Sequence, residues 1–488
     1  MRGFLASSIG VTCAAAIALP LTPPAAATPA GPASAADVAG RHVPGSTQSL
    51  PLEPLARDRA SGGVAEEGLT RRSVRPFSLV GVVWDDPEAQ PPGRVRVRTR
   101  AAGTGTWSGW RDLETHNSDH AADPDSAERA SRRVRGATAP LWVGESDGVE
   151  VRVRGEAAGS AHGTRGPDGP DATGLRLELV DPGAEEPPER RQVAGPRTGD
   201  ALGDAARAAS AANAGLAPLG ATVIPALSRE ETERELRRPN LRTEADPTGR
   251  EVAEPAGRRV AGEGLRGEAE EGTRGMGAPA DKQRAKPYIG PRPSIVTRLG
   301  WGANEWLRER KFVYTKKVKA AFVHHTASGN DYRCEEAPSL IRGIYRYHVR
   351  SMGWRDIGYN FLVDKCGKIY EGRAGGVTRP VLGAHTLGFN TNSMGVAVLG
   401  SYGSKKPPAA AVRGISQLTA WKLGLYGMNP AGKTSLQSGG GNLYRKGSTV
   451  RLHVISGHRD GFATECPGRK LYGKLASARA AAARYQGR

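Results

Sequence analysis

Lysine is missing from the first 281 residues of this 488-residue chain, cysteine occurs only four times, and aromatic residues make up just 6%. After the N-terminus there is also no apolar run approaching the roughly 20 residues that a membrane span needs. The one early candidate, "MRGFLASSIGVTCAAAIALPLTPPAAA", has a positive charge at Arg2, an apolar core from Phe4 to Leu21 cut short by Pro20, Pro23 and Pro24, and small residues at Ala25 and Ala27. That is the pattern of a cleaved export signal over residues 1–27. The bulky Thr12 before Cys13 argues against a lipid-modified cysteine. The expected product is secreted, extracellular or associated with a cell wall, with no stable membrane anchor.

Removing Cys13 with the signal leaves Cys334, Cys366 and Cys466. An odd number in an oxidising compartment asks for a pair and a remainder. We read Cys334 and Cys366 as the pair and Cys466 as left for chemistry; three incidental thiols are the alternative. The scarcity of lysine is also uneven. Residues 291–488 hold 32 Lys and Arg against 10 Asp and Glu, whereas residues 1–290 hold 37 against 40, so the formal +19 resides entirely in the C-terminal part. A basic exported domain is expected to meet anionic wall polymers rather than nucleic acid.

The length calls for two or three units. Residues 28–69, rich in Ala, Pro and Gly, read as a flexible lead-in. Period-2 alternation then begins: Val95, Val97 and Thr99 among arginines, Val149, Val151 and Val153, and Leu175, Leu177 and Leu179, with Gly, Asp and Pro clusters between. This predicts a small all-β, sandwich-like domain over residues 70–183, of unassigned binding role. Within it "THNSDHAADPD" gathers His116, Asp119, His120, Asp123 and Asp125, which reads as a solvated acidic loop in preference to a metal site. Residues 184–289 carry few aromatics and read as linker, with a short helix around Ser228–Arg238.

From residue 290 the texture is that of an α/β unit, a mixed sheet flanked by helices. "KAAFVHHTA" is a buried strand, "SLIRGIYRYHVRSMGW" an amphipathic helix, "YNFLVDKCGKIYEGR" a hairpin, "SMGVAVLGSY" and "TVRLHVISGHR" further strands. On the helix, Ile341, Ile344, Tyr345, His348 and Met352 form the apolar face, with Arg342, Arg346 and Arg350 as a basic stripe opposite. Six of the ten histidines fall in this unit, and zinc accepts imidazole nitrogen and thiolate. Spacing alone does not choose the ligands, since none falls in a CxxC or HExxH pair.

The ordered motifs "FVHHTA", "GWRDIGYNFLVDKCGKIYEGR", "GAHTLGFNTNSMGVAVLG" and "GHRDGFATECPG" resemble those of peptidoglycan recognition proteins and the related phage-type N-acetylmuramoyl-L-alanine amidases. The resemblance covers residues 290–488 and implies the fold of that family. Carried over position by position, it implies zinc ligands at His324, His458 and Cys466, a catalytic tyrosine at Tyr359, and an assisting Thr464 where phage enzymes have lysine. It puts His385 in the substrate groove. Trp354 and Arg373 either line that groove or pack beneath it, and His325, His348 and His453 are read as structural. "AGGVTRP" replaces the family's stem-peptide cues after "YEGR", so no stem preference carries over.

The implied function is a secreted, zinc-dependent, monomeric amidase that cuts between N-acetylmuramic acid and L-alanine in peptidoglycan. The rival readings are a peptidoglycan-binding protein without catalysis and a structural wall protein.

Overall fold

The computed structural model describes residues 45–55, 66–91, 93–115, 117–154, 172–183, 202–237 and 288–488. The expected export signal and His116 lie outside them. Among the described residues no helix is long and apolar enough to cross a membrane.

Strands β1 (Ser46–Pro51), β2 (Glu53–Pro54), β3 (Glu66–Trp84), β4 (Arg94–Ala101), β5 (Arg111–Leu113), β6 (Gly136–Ala137), β7 (Leu141–Arg154) and β8 (Arg176–Asp181) form one sheet in which every pairing is antiparallel. The order is β1-β8-β3-β7-β4-β5, with β2 and β6 beside β3. The predicted alternation holds: Val95, Val97, Val149, Val151 and Val153 are buried in one core with Trp84 and Leu177, while Arg94 and Arg96 are exposed. β3 shifts register against β7 after Leu69, Ser73 and Phe77, and such bulges bend a strand, so both of its halves reach this core.

Two segments assigned by composition to lead-in and linker are folded. Ser46–Pro51 pairs along its whole length with Arg176–Asp181. Residues 202–237 supply α1 (Asp204–Ala211), β9 (Val223–Ile224) and α2 (Arg229–Leu236), the last opened by a capping box between Ser228 and Glu231. Neither segment needs aromatic content of its own, because each borrows a partner's edge.

The second sheet runs β17-β11-β14-β12-β13-β10-β9, with β10 (Ile295–Val296), β11 (Ala320–His325), β12 (Phe361–Val363), β13 (Ile369–Glu371), β14 (Ser393–Val398) and β17 (Ile455–Gly457). β17, β11, β14 and β12 are parallel neighbours, buried throughout, which is why they read as apolar runs without alternation. A separate hairpin pairs β15 (Lys433–Gln437) with β16 (Thr449–His453). Helices α3 (Ala337–Arg346), α4 (Ala409–Leu425), α5 (Arg469–Tyr472) and α6 (Leu475–Tyr485) complete the unit. Cys334 and Cys366 are bridged and Cys466 is a buried free thiol.

The two sheets meet across α3. Pro338 starts this helix and a wider turn at Tyr347–Ser351 extends it. Its second face is not solvated: Arg342 donates to the carbonyls of Pro182 and Gly183, Arg346 to that of Gly45, and the Tyr347 hydroxyl to that of Thr138 at 3.1 Å. Gly81 lies so close that a Cβ there would overlap the Tyr347 ring. The basic stripe is therefore largely an interface, with Arg350 alone of the three exposed.

Candidate metal centre

The parallel register of β11 and β17 places Val323 opposite Gly457. The next residues, His324 and His458, consequently stand side by side at the C-terminal end of adjacent strands, ring centroids 4.5 Å apart. Parallel sheets present ligand sites at that end. Cys466 returns on the following loop, where its N–H donates to Thr464 Oγ1 at 3.2 Å and its carbonyl accepts from Arg459 N–H at 3.1 Å. Its Sγ lies 3.8 Å from His324 Nδ1.

A fourth donor comes from the other sheet. His120, in the connection between β5 and β6, brings Nε2 to 3.4 Å from Cys466 Sγ. One ligand atom from each of His120, His324, His458 and Cys466 can be chosen so that all lie within 4.8 Å of one another. Asp119 Oδ1 accepts from His120 Nδ1–H at 3.0 Å, which leaves the Nε2 lone pair facing the cluster. The reading of "THNSDHAADPD" as a solvated acidic loop is thus corrected: Asp119 and His120 are 2% and 5% exposed. Their role depends on a partner 346 residues away, and no local spacing encodes that.

The donor set fits zinc. Tetrahedral zinc, with bonds of about 2.0–2.1 Å to nitrogen and 2.3 Å to sulfur, holds its donors roughly 3.3–3.8 Å apart. The 3.4 and 3.8 Å separations from Cys466 match. Both ring nitrogens of His458 are buried without a hydrogen-bond partner among the described residues, as is Asp119 Oδ2. Burial pulls His458 down to about 3 against the opposing pull of Asp119, and burial together with the neighbouring imidazoles holds His324 well below its ordinary value. Both are therefore in the neutral form that ligates. Burial opposes ionisation of Asp119, but His120 and His458 outweigh it and keep the carboxyl low. Burial, with Asp119 adding to it, pushes the Cys466 thiol up, a cost that a divalent cation at this point reverses.

Tyr359 packs at 5.6 Å from the His324 ring and 5.9 Å from that of His120. Burial, then Cys466 and Asp119, raise its phenol well above the ordinary value, so it is a neutral donor. His385 lies beside His324, centroids 5.3 Å apart and fully buried, with Nδ1 3.0 Å from Thr386 Oγ1 and Nε2 3.4 Å from Ser393 Oγ. Trp354 stacks on His348 at 4.5 Å. Arg373 donates to both carboxylate oxygens of Glu128, each at 2.8 Å, and lines a cavity of about 400 Å³ that neither His385 nor Trp354 reaches. His325 accepts from Tyr402 N–H and His348 from Gly358 N–H, each at 3.2 Å, while His453 sits half-buried in β16.

Comparison with known proteins matches residues 314–469 to the N-acetylmuramoyl-L-alanine amidase family and residues 32–173 to the "Rv3811 N-terminal galactose-binding domain-like" family. Peptidoglycan-recognition protein SC2 of Drosophila simulans is 30% identical over 182 residues, which is 37% of this chain and 84% of that protein. A human N-acetylmuramoyl-L-alanine amidase is 32% identical over 205 residues, 41% of this chain and 31% of the human one. Among solved structures, peptidoglycan recognition protein-LE in complex with tracheal cytotoxin matches at 29% identity and TM-score 0.31, covering 38% of this chain and 92% of that one. The chain belongs to the peptidoglycan recognition protein and N-acetylmuramoyl-L-alanine amidase family, joined here to a galactose-binding-like all-β domain.

Proposed function

We propose that the protein is a secreted, zinc-dependent N-acetylmuramoyl-L-alanine amidase that hydrolyses the bond between N-acetylmuramic acid and the L-alanine of the stem peptide. The observation that carries this reading is the convergence of His324, His458 and Cys466 on one point, with the Tyr359 ring beside it. A protein that only holds a wall fragment has no use for a buried thiol beside an imidazole, that of His458, with both ring nitrogens buried and without a hydrogen-bond partner among the described residues. The name of the human relative supports the same reaction.

When bound, zinc supplies Lewis acidity toward the scissile carbonyl and an acidified water nucleophile. His324, His458 and Cys466 would hold it. Tyr359, kept neutral by burial, would donate a hydrogen bond to the oxyanion as the carbonyl becomes tetrahedral, an interaction that grows in the transition state. Thr464 already fixes the Cys466 backbone and offers a second hydroxyl near the same point. His385 packs beside His324, and Arg373, whose guanidinium Glu128 holds here, would meet an anionic part of the glycopeptide only with Glu128 displaced. The basic C-terminal unit favours anionic wall polymers.

The test is a digest of isolated wall by the full-length chain, zinc-loaded, in the parent and His120→Ala forms. Stem peptides with a free N-terminal L-alanine are expected from the His120→Ala form, which removes the side chain that covers the cluster, and their loss when that form also carries Cys466→Ser. Zinc-loaded protein that retains wall fragments yet releases no stem peptide in either form contradicts catalysis and favours recognition.

A further inference from the structure

We propose that residues 119–128 of the β-rich domain are a built-in plug, in which His120 supplies a fourth protein ligand to the metal centre and holds the folded chain latent. The inference rests on the zinc reading of His324, His458 and Cys466 and adds to it the state of the site. A hydrolytic zinc centre keeps three protein ligands and one open position, whereas four protein ligands make a closed, structural one. Here the fourth position is taken by a side chain from another domain, 3.4 Å from Cys466 Sγ and with ring centroids 4.5 Å from His458.

His120 arrives equipped as a ligand. Asp119 fixes its tautomer through Nδ1, the carboxylate–histidine pairing that orients metal-bound imidazoles. The rest of the segment docks on the C-terminal unit through separate polar contacts. Leu387 N–H donates to the Asp119 carbonyl at 3.0 Å, and Asn390 Nδ2 to the Ala121 carbonyl at 2.8 Å. Asp123 accepts from Gly388 N–H at 2.9 Å and from Asn390 Nδ2 at 2.7 Å. Glu128 takes the Arg373 fork. Acidic side chains thus lie against a strongly basic unit.

The consequence is steric. His324, His458 and Cys466 are each 0% exposed and Tyr359 is 3% exposed, so a glycan strand with its stem peptide cannot reach them while the segment is seated. Withdrawal of the segment exchanges the His120 imidazole for water and substrate. Its ten residues form no helix or strand, and the contacts just named are hydrogen bonds and one ion pair rather than a shared apolar core. Lifting it leaves the cores of both sheets intact.

The test uses full-length protein loaded with Co²⁺ in place of zinc, in the parent, His120→Ala and Asp123→Asn/Glu128→Gln forms. The thiolate-to-cobalt absorption band reports Cys466, and the response of the d–d bands to added azide reports an open coordination position. The parent is expected to show the thiolate band and to be unmoved by azide. His120→Ala should keep the band, shift with azide and bind Co²⁺ at least about 10-fold more weakly. The double variant, which keeps all four ligands, should respond to azide in part, so the outcome does not hang on one buried substitution. A parent that shifts with azide as fully as His120→Ala overturns the plug and leaves the amidase centre standing. Absence of the thiolate band from all three overturns the metal reading and the plug together.

Discussion

Replacing Glu128 by glutamine tests what holds the β-rich domain's segment on the C-terminal unit. Glu128 accepts two hydrogen bonds from Arg373 at 2.8 Å and one from Arg355 N–H at 3.1 Å, with both side chains of the ion pair more than nine-tenths buried. Removing one member of a buried pair costs about 3–5 kcal/mol, because the other charge is left uncompensated. Glutamine retains the shape and one acceptor oxygen, which places the expected loss near the lower end, about 3 kcal/mol. That is roughly a 100-fold shift in the docking equilibrium. The amides of Leu387, Gly388 and Arg135 donate across the contact, to the Asp119 carbonyl, the Asp123 carboxylate and the Met352 carbonyl, and are unaltered by the substitution. Hydrogen exchange at these three should accelerate toward that factor, up to the limit set by global unfolding. Trypsin should also cut sooner at Arg129 and Arg133. Exchange within twofold of the parent at all three amides would refute the assignment of docking energy to the Glu128–Arg373 pair.

In the His120→Ala background, where only His324 and His458 would remain, Cys466→Ser should abolish zinc binding and hydrolysis together, read by metal content and alanine release. Tyr359→Phe should retain its zinc and lose about 10²-fold or more in turnover, measured against the His120→Ala background, as when one oxyanion donor is deleted. Reduction of the Cys334–Cys366 bridge, which closes a separation of 32 residues, should lower stability by about 3–4 kcal/mol on the loop-entropy account, read from the denaturant midpoint with and without reductant. Retention on isolated wall should weaken as salt rises from about 0.01 to 1 M, over which the screening length falls from about 30 to 3 Å; retention indifferent to salt contradicts a role for the C-terminal charge.

What was legible in the sequence is what short-range pattern encodes. Alternation marked Val95, Val97 and Val149 to Val153 as one face of a sheet, and unbroken apolar runs marked β11 and β14 as buried strands, which the fold pairs in parallel. The odd cysteine count and four ordered motifs placed the bridge, the two strand-end histidines and Cys466. What was not legible depends on surfaces that only the folded chain brings together. Val223–Ile224 becomes an edge strand because Ile295–Val296 offers an unpaired edge, and nothing in its composition distinguishes it from linker. Arg342 and Arg346 read only as a basic stripe opposite the apolar face, because the carbonyls they bind belong to residues 182, 183 and 45. His120 is the clearest case. Its neighbours Asp119, Asp123 and Asp125 are ordinary company for an exposed loop, and the thiolate and imidazoles it meets lie more than 200 residues further along.

The most direct measurement is mass spectrometry of isolated peptidoglycan digested by the zinc-loaded, full-length His120→Ala protein, beside the same protein carrying Cys466→Ser as well. Intact glycan strands and stem peptides that begin with a free L-alanine are expected in the first digest, and neither product in the second. Cleavage within the glycan or the stem, or release that persists without Cys466, would contradict the amidase reading.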